Sequence, residues 1–347
     1  MKPSTRGTTR PNRSLGSAHR LDRRRLLHGA LAGCVASILA PRRDGSAPAG
    51  AAEPGDAPKP DGPALDFPLV DFHVHLDNST IDQVAALMEP RGVRFGIVEH
   101  AGTKENVYPV VLSNDEQLDA YLKMLEGKGV YRGVQAEYND WTTGFSRDAL
   151  ARLDYILIDA MTFPGKDGRR VKLWERDVEQ RVEMSDRERF MDRYVDWYVE
   201  LIESQPIDIL ANVSWLPAPL AGDYDRYWTD ARIGRVIEAA RKRRVAIEIS
   251  ASYRLPTLRF LRLVKQAGLK FSFGSNGRYP KMGLLDYSIE TARTLGLTRE
   301  DMFVPAPKGQ KAVDRARETG DRTHSGQTER TGSREHASPA ERTGEGE

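Results

Sequence analysis

The run Asp71-Phe72-His73-Val74-His75 concentrates more chemistry than any other stretch of the chain. Two histidines at i and i+2 on an extended segment point to the same side, because side chains alternate along a strand. Two neutral imidazoles on one side suit a transition metal of the Zn, Mn or Fe type better than Mg or Ca. Asp71, two residues before His73, is placed to orient a ligand from behind. Between residues 65 and 307 the only other histidine is His100, which argues against an amidohydrolase-type centre with further histidines on later strands. The sole cysteine, Cys34, rules out a disulfide within the chain and a cysteine-based metal site.

These residues need elements to position them. Short apolar or β-branched runs predict strands over 69–72, 95–98, 131–136, 155–158, 208–211, 245–249 and 270–274. Amphipathic stretches predict helices over 81–88, 115–126, 186–204, 227–243, 255–267 and 284–295. In the helix over 186–204, Phe190, Tyr194, Trp197, Tyr198, Leu201 and Ile202 recur at helical spacing and read as core. The alternation implies a parallel α/β architecture, which an open doubly wound sheet and a closed barrel both satisfy. The strand ends favour the barrel. His73 and His75, Glu99 and His100, Glu137, Asp159, Asn212, Glu248 and Ser250, and Asn276 with Arg278 stand at or just past the C-terminal ends, where a barrel gathers its functional groups on one face. No glycine-rich phosphate loop follows the first strand. The polar segment 159–185 leaves the fourth strand as a long loop and reads as a lid. Lys166, Arg169, Arg170, Arg254 and Lys281 are candidate rim cations, and Tyr138, Trp141 and Tyr253 candidate aromatic walls.

In order along the chain, DFHVHLDNS (71–79), GIVEHA (96–101), GVQAEYND (133–140), DYILIDAM (154–161), DILANVSW (208–215), AIEISAS (246–252) and FSFGSNGR (271–278) resemble the PHP (polymerase and histidinol phosphatase) family over roughly residues 68–305. The resemblance implies a distorted seven-stranded (β/α) TIM-like barrel that hydrolyses phosphoesters at up to three clustered metal ions. It places His73, His75 and Glu137 on the first ion, with Asn276 where the family has an aspartate. His100 falls at the third ion, whose closing histidine is here Arg278; the second ion's histidines fall at Met161 and Asn212. What survives implies one divalent ion (Zn, Mn or Fe) on His73, His75, Glu137 and Asn276. Glu248, Asn212 and Asp159 are extra ligands or substrate contacts. In the catalytic set, His100 or Glu99 moves protons and Arg278 binds a small anionic substrate. The expected function is an exported metal-dependent hydrolase of a phosphate ester; the alternative is a catalytically degenerate PHP-fold protein that binds an anionic ligand.

The two ends differ from the middle. Residues 1–40 read as a signal segment: a basic stretch precedes the apolar run LLHGALAGCVASILA, and Arg23-Arg24-Arg25-Leu26-Leu27 resembles a twin-arginine export motif. Leu31-Ala32-Gly33-Cys34 resembles a lipobox, which would make Cys34 a lipid anchor in the periplasm or cell envelope. Residues 41–64, rich in Pro, Gly and Ala, read as a linker, 65–307 as the barrel domain, and 308–347 as a tail too poor in apolar residues to fold. After residue 40 no apolar run approaches the roughly 18 residues of a membrane span. The net charge of +2 gives no reason to expect nucleic acid as a partner. Changing Arg23, Arg24 and Arg25 to Lys is expected to hold the protein in the cytoplasm, as cell fractionation would show; unchanged export would sink the twin-arginine assignment.

Overall fold

The computed structural model describes residues 65–77 and 79–315. The expected signal segment, the linker with Cys34, and the tail beyond residue 315 lie outside the described residues. Among the described residues ten strands occur in chain order: β1 (Val70–Val74), β2 (Arg94–Ala101), β3 (Val111–Leu112), β4 (Tyr131–Ala136), β5 (Tyr155–Ile158), β6 (Thr162–Pro164), β7 (Arg170–Lys172), β8 (Ile209–Leu210), β9 (Ala246–Ser250) and β10 (Phe271–Gly274). Seven of them, β1, β2, β4, β5, β8, β9 and β10, pair in parallel one after another, and β10 pairs back to β1. The chain is therefore a closed α/β barrel of the TIM-like kind, and the open sheet is excluded. β3 extends the edge of β2, and β6 and β7 form an antiparallel hairpin apart from the barrel.

The strand residues fall into two phases. Ile97, Val134, Ile156, Leu210, Ile247 and Phe273 share one apolar cluster with helix residues such as Leu118, Phe190, Val236 and Phe260. Phe72, Val98, Tyr155, Leu157, Ile209, Ala211 and Ala246 form a second cluster without them, the barrel interior. Because the period is two, the inward phase continues from Val98 to His100, from Leu157 to Asp159 and from Ala246 to Glu248. The interior thus changes from an apolar plug to a polar mouth towards the strand C-termini. Tyr155 fills the plug and donates to the Phe72 carbonyl at 2.7 Å. Only glycine at 96 and 133 leaves room for it, since a Cβ there would lie 2.4 and 2.5 Å from its hydroxyl and ring.

In β1 the pairing register with β2 slips between Asp71 and Val74. Phe72 plugs the interior, Val74 joins the outer core, and His73 packs at 5.2 Å, centroid to centroid, from His75 at the mouth. Asp71 anchors this break by accepting from Ser275 N at 2.9 Å, from Gly283 N at 2.9 Å and from the Ser275 hydroxyl.

Two expected boundaries move. The segment 159–185 is not an unstructured lid: its hairpin and the turn of helix Val178–Arg181 bury Phe163, Val171, Leu173 and Val178. The barrel domain also runs past residue 307. Ala312 and Val313 are buried, Ala312 N donates to Asp208 Oδ1 at 3.3 Å, and Lys311 Nζ donates to the Ala151 carbonyl at 2.9 Å. The tail expected from 308 therefore begins with a docked strap. Ending the chain after residue 307, or the substitution Val313→Asp, is expected to cost about 2–4 kcal/mol by losing apolar burial or burying a charge. In thermal unfolding that is a fall of roughly 5–10 °C; an unchanged melting temperature for both would show that the strap adds nothing.

Candidate metal centre

The mouth holds two adjoining groups of side chains. The inner one is a closed hydrogen-bond network. His73 Nδ1 meets Glu248 Oε2 at 2.7 Å and its Nε2 meets Gln135 Oε1 at 2.9 Å. The Gln135 amide donates onward to Asp159 Oδ2 at 3.1 Å and Glu137 Oε1 at 3.3 Å. Asn212 adds donors to Asp159 and Glu248, and accepts from Ser250. An acceptor stands at each ring nitrogen of His73, an arrangement that favours the protonated ring. Burial pulls its pKa down, but the Glu248 carboxylate and its hydrogen bond outweigh that and leave it raised. Gly274 is required beside this pair, since a Cβ there would sit 2.2 Å from Glu248 Oε2. Asp159 is pushed up to about 6 by burial and by Glu137.

The outer group is open. One ligand atom each from His75, Asp77 and Glu99 lie within 4.8 Å of one another. Five buried atoms here have no hydrogen-bond partner: His75 Nδ1 and Nε2, Asp77 Oδ1, Glu99 Oε2 and His100 Nε2. Leaving so many buried polar atoms unpaired costs roughly 1–3 kcal/mol each, so their convergence marks a place for a cation. Burial, with the charges of Arg278 and His73, holds the His75 pKa well below the ordinary range, the direction that favours the neutral ring a metal ligand needs. An imidazole with two carboxylates fits a divalent transition metal.

The remaining expected residues can now be placed. His73 is taken up by Glu248 and Gln135, and Glu137 accepts from His100 Nδ1 at 2.8 Å and Lys172 Nζ at 3.2 Å. Asn276 Oδ1 accepts from Arg278 Nη1 at 2.6 Å, and Arg278 Nε binds Asp77 Oδ2 at 2.9 Å. The structure therefore brings His75 to Asp77 and Glu99 rather than to His73, Glu137 and Asn276. Arg170 is tied to Asp140 and Asn106, and Trp141 is core. Sequence reasoning missed Asp77, although His73, His75 and Asp77 continue one i, i+2 spacing. It also missed Tyr108 and Lys172, for which no local signal exists. Asp77, Tyr138, Asn212, Arg254 and Asn276, all at the mouth, have left-handed backbone, the kind of strain that collects at functional sites.

No protein-family model matches the chain, and no curated protein matches it. Among solved structures it is similar to the HpcH/HpaI aldolase of Desulfitobacterium hafniense DCB-2, with 10% identity over 69% of this chain and 95% of that one, at a TM-score of 0.31.

The expected phosphate-ester hydrolase finds no support: no family model or curated protein matches, and the ligand atoms that converge are those of His75, Asp77 and Glu99. It placed the ion among His73, His75, Glu137 and Asn276. Instead His73 meets Glu248 at 2.7 Å and an ammonium sits on Glu137 at 3.2 Å.

Burial, reinforced by the charge of Asp77, raises the Glu99 carboxyl to about 7. A carboxyl raised in the fold stabilises below its unfolded value, and that contribution is lost as pH rises through about 7. An incoming cation must displace the same proton. Metal affinity is therefore expected to fall about tenfold per pH unit below about 7 and to level off above it, as calorimetric titration would show. Glu99→Gln should abolish that slope; an affinity independent of pH would remove Glu99 from the ligand set.

Proposed function

We propose that the chain is an exported barrel enzyme of PHP type that holds one divalent transition-metal ion, Zn, Mn or Fe, on His75, Asp77 and Glu99, and moves a proton on a small anionic substrate through His100. The observation that carries this is the convergence of five unpartnered buried atoms at the barrel mouth. The order of the strand-end motifs around a seven-stranded barrel supports the family type, and the basic and apolar N-terminal segment supports export with Cys34 as anchor.

When bound, such an ion supplies Lewis acidity to a substrate oxygen. The chain's own residues supply the rest. His100 Nδ1 is held by Glu137 Oε1 at 2.8 Å, which leaves Nε2 as the nitrogen that faces the site unpartnered. Burial outweighs the pull of Glu137 and lowers the His100 pKa, so the ring is unprotonated and ready to accept a proton. Tyr108 stacks on the His100 ring at 3.5 Å between centroids and 9° between planes, shielding one face from water. Arg278 has Nε and Nη1 engaged, and its Nη2 remains for a substrate carboxylate. A Lewis-acid position beside an oriented imidazole base fits proton removal next to a carbonyl or carboxylate, the step shared by lyases and isomerases.

Protein purified without chelators is expected to hold about one transition-metal ion per chain by elemental analysis, and His75→Ala to hold none. Incorporation of solvent deuterium into small 2-oxo and 2-hydroxy acids, followed by NMR, tests the reaction class. His100→Asn is expected to keep the ion and lose roughly 100-fold or more of the exchange. Protein that takes up no ion, or exchange indifferent to His100→Asn, would overturn the proposal.

A further inference from the structure

Glu137 and Asp159 are buried within reach of the same Gln135 amide, and Glu137 is also met by His100 Nδ1 at 2.8 Å. Glu137 is further met by Lys172, carried in from outside the barrel strands by the hairpin of β6 and β7. Its side chain is 15% exposed. Its ammonium has three hydrogens and three oxygen acceptors: Glu137 Oε2 at 3.2 Å, Thr162 Oγ1 at 3.1 Å and the Tyr108 hydroxyl. The Tyr108 ring lies 3.9 Å from the ammonium nitrogen and adds a cation–π contact. Tyr108 and Thr162 themselves donate to Glu137 Oε2 at 3.3 and 3.2 Å. A carboxylate, a hydroxyl and a phenol around one point form an all-oxygen pocket, the environment of a hard cation.

We infer that Lys172 is a built-in cation filling a second cation position made of Glu137, Thr162 and Tyr108, so that the mouth takes up one divalent ion where it would otherwise take two. This rests on the reading that His75, Asp77 and Glu99 hold the first. The ammonium meets the carboxylate of Glu137, and Glu137 in turn orients His100.

Lys172→Ala empties the pocket and leaves its oxygens, whereas Lys172→Met fills the space with a neutral chain. After equilibrium dialysis against Mn²⁺, elemental analysis is expected to find one more ion per chain in Lys172→Ala than in the natural protein, and no increase in Lys172→Met. Ethylammonium, a fragment of the missing side chain, is expected to raise the melting temperature of Lys172→Ala and leave the natural protein unmoved. If Lys172→Ala folds only when Mn²⁺ or ethylammonium is supplied, circular dichroism will show that same dependence, which also supports the inference. Equal ion counts in Lys172→Ala and the natural protein with no response to ethylammonium, or a variant that folds under none of these conditions, would overturn it. The count in the natural protein tests the first site separately: zero ions there removes that site, while the difference between the two proteins still decides the role of Lys172.

Discussion

Five carboxylates, Asp71, Glu99, Glu137, Asp159 and Glu248, are buried at or near the mouth of one barrel, and a charge removed from water must find donors or a countercharge. The arrangement of the mouth follows from how each is met. Asp71 takes backbone and hydroxyl donors and pins β1 to the loop after β10. Glu248 takes the His73 ring, Glu137 takes Lys172 and His100, and Asp159 takes two side-chain amides. Glu99 alone among them is met halfway: Leu76 N reaches Oε1 at 3.0 Å, and Oε2 has no partner. The unmet charge lies where His75 and Asp77 also have unpartnered atoms, so the place for a cation is defined by what the rest of the network leaves unsatisfied.

The network also separates two kinds of histidine that look alike in sequence. His73 and His75 lie two residues apart, yet one faces a carboxylate and an amide oxygen while the other faces a carboxylate pair without hydrogens to offer. Glu248 raises the pKa of the first despite its burial, and burial with the cationic neighbours lowers that of the second. Arg278 contributes to that second effect and also binds Asp77. Its role is therefore partly to trim the charge of the open group, so that an ion there adds to a site already partly compensated.

Access to the mouth is shaped by segments outside the barrel strands. The hairpin of β6 and β7 delivers Lys172, and the loop before β3 lays Tyr108 across His100. Arg170, from the same hairpin, binds Asn106 at 3.2 Å and Asp140, which joins the two covering segments. The two segments that cover His100 are thus linked at the edge of the site by Arg170.

Much of this could be read from the chain. Periodicity located all seven barrel strands, because each is a short apolar run closed by a polar residue at the mouth, and the aromatic stripe from Phe190 to Ile202 is core as its spacing requires. The gathering of His75, Glu99, His100, Glu137, Asp159 and Glu248 at one end was also legible, since strands of a parallel barrel all end on the same face. The partners of each residue were not. Whether His73 would meet an ion or a carboxylate depends on Glu248, 175 residues away, and on a register slip in β1 that no local pattern announces. Lys172 reaches Glu137 only through a hairpin whose strands are three residues each, too short for a periodic signal. The docked strap around Val313 was hidden in the same way, by having only two apolar residues in a polar stretch. Residue type and spacing determined which chemical groups this barrel collects at its mouth; the tertiary structure alone decided how they pair, because the charge state of a buried group is set by neighbours that are distant along the chain.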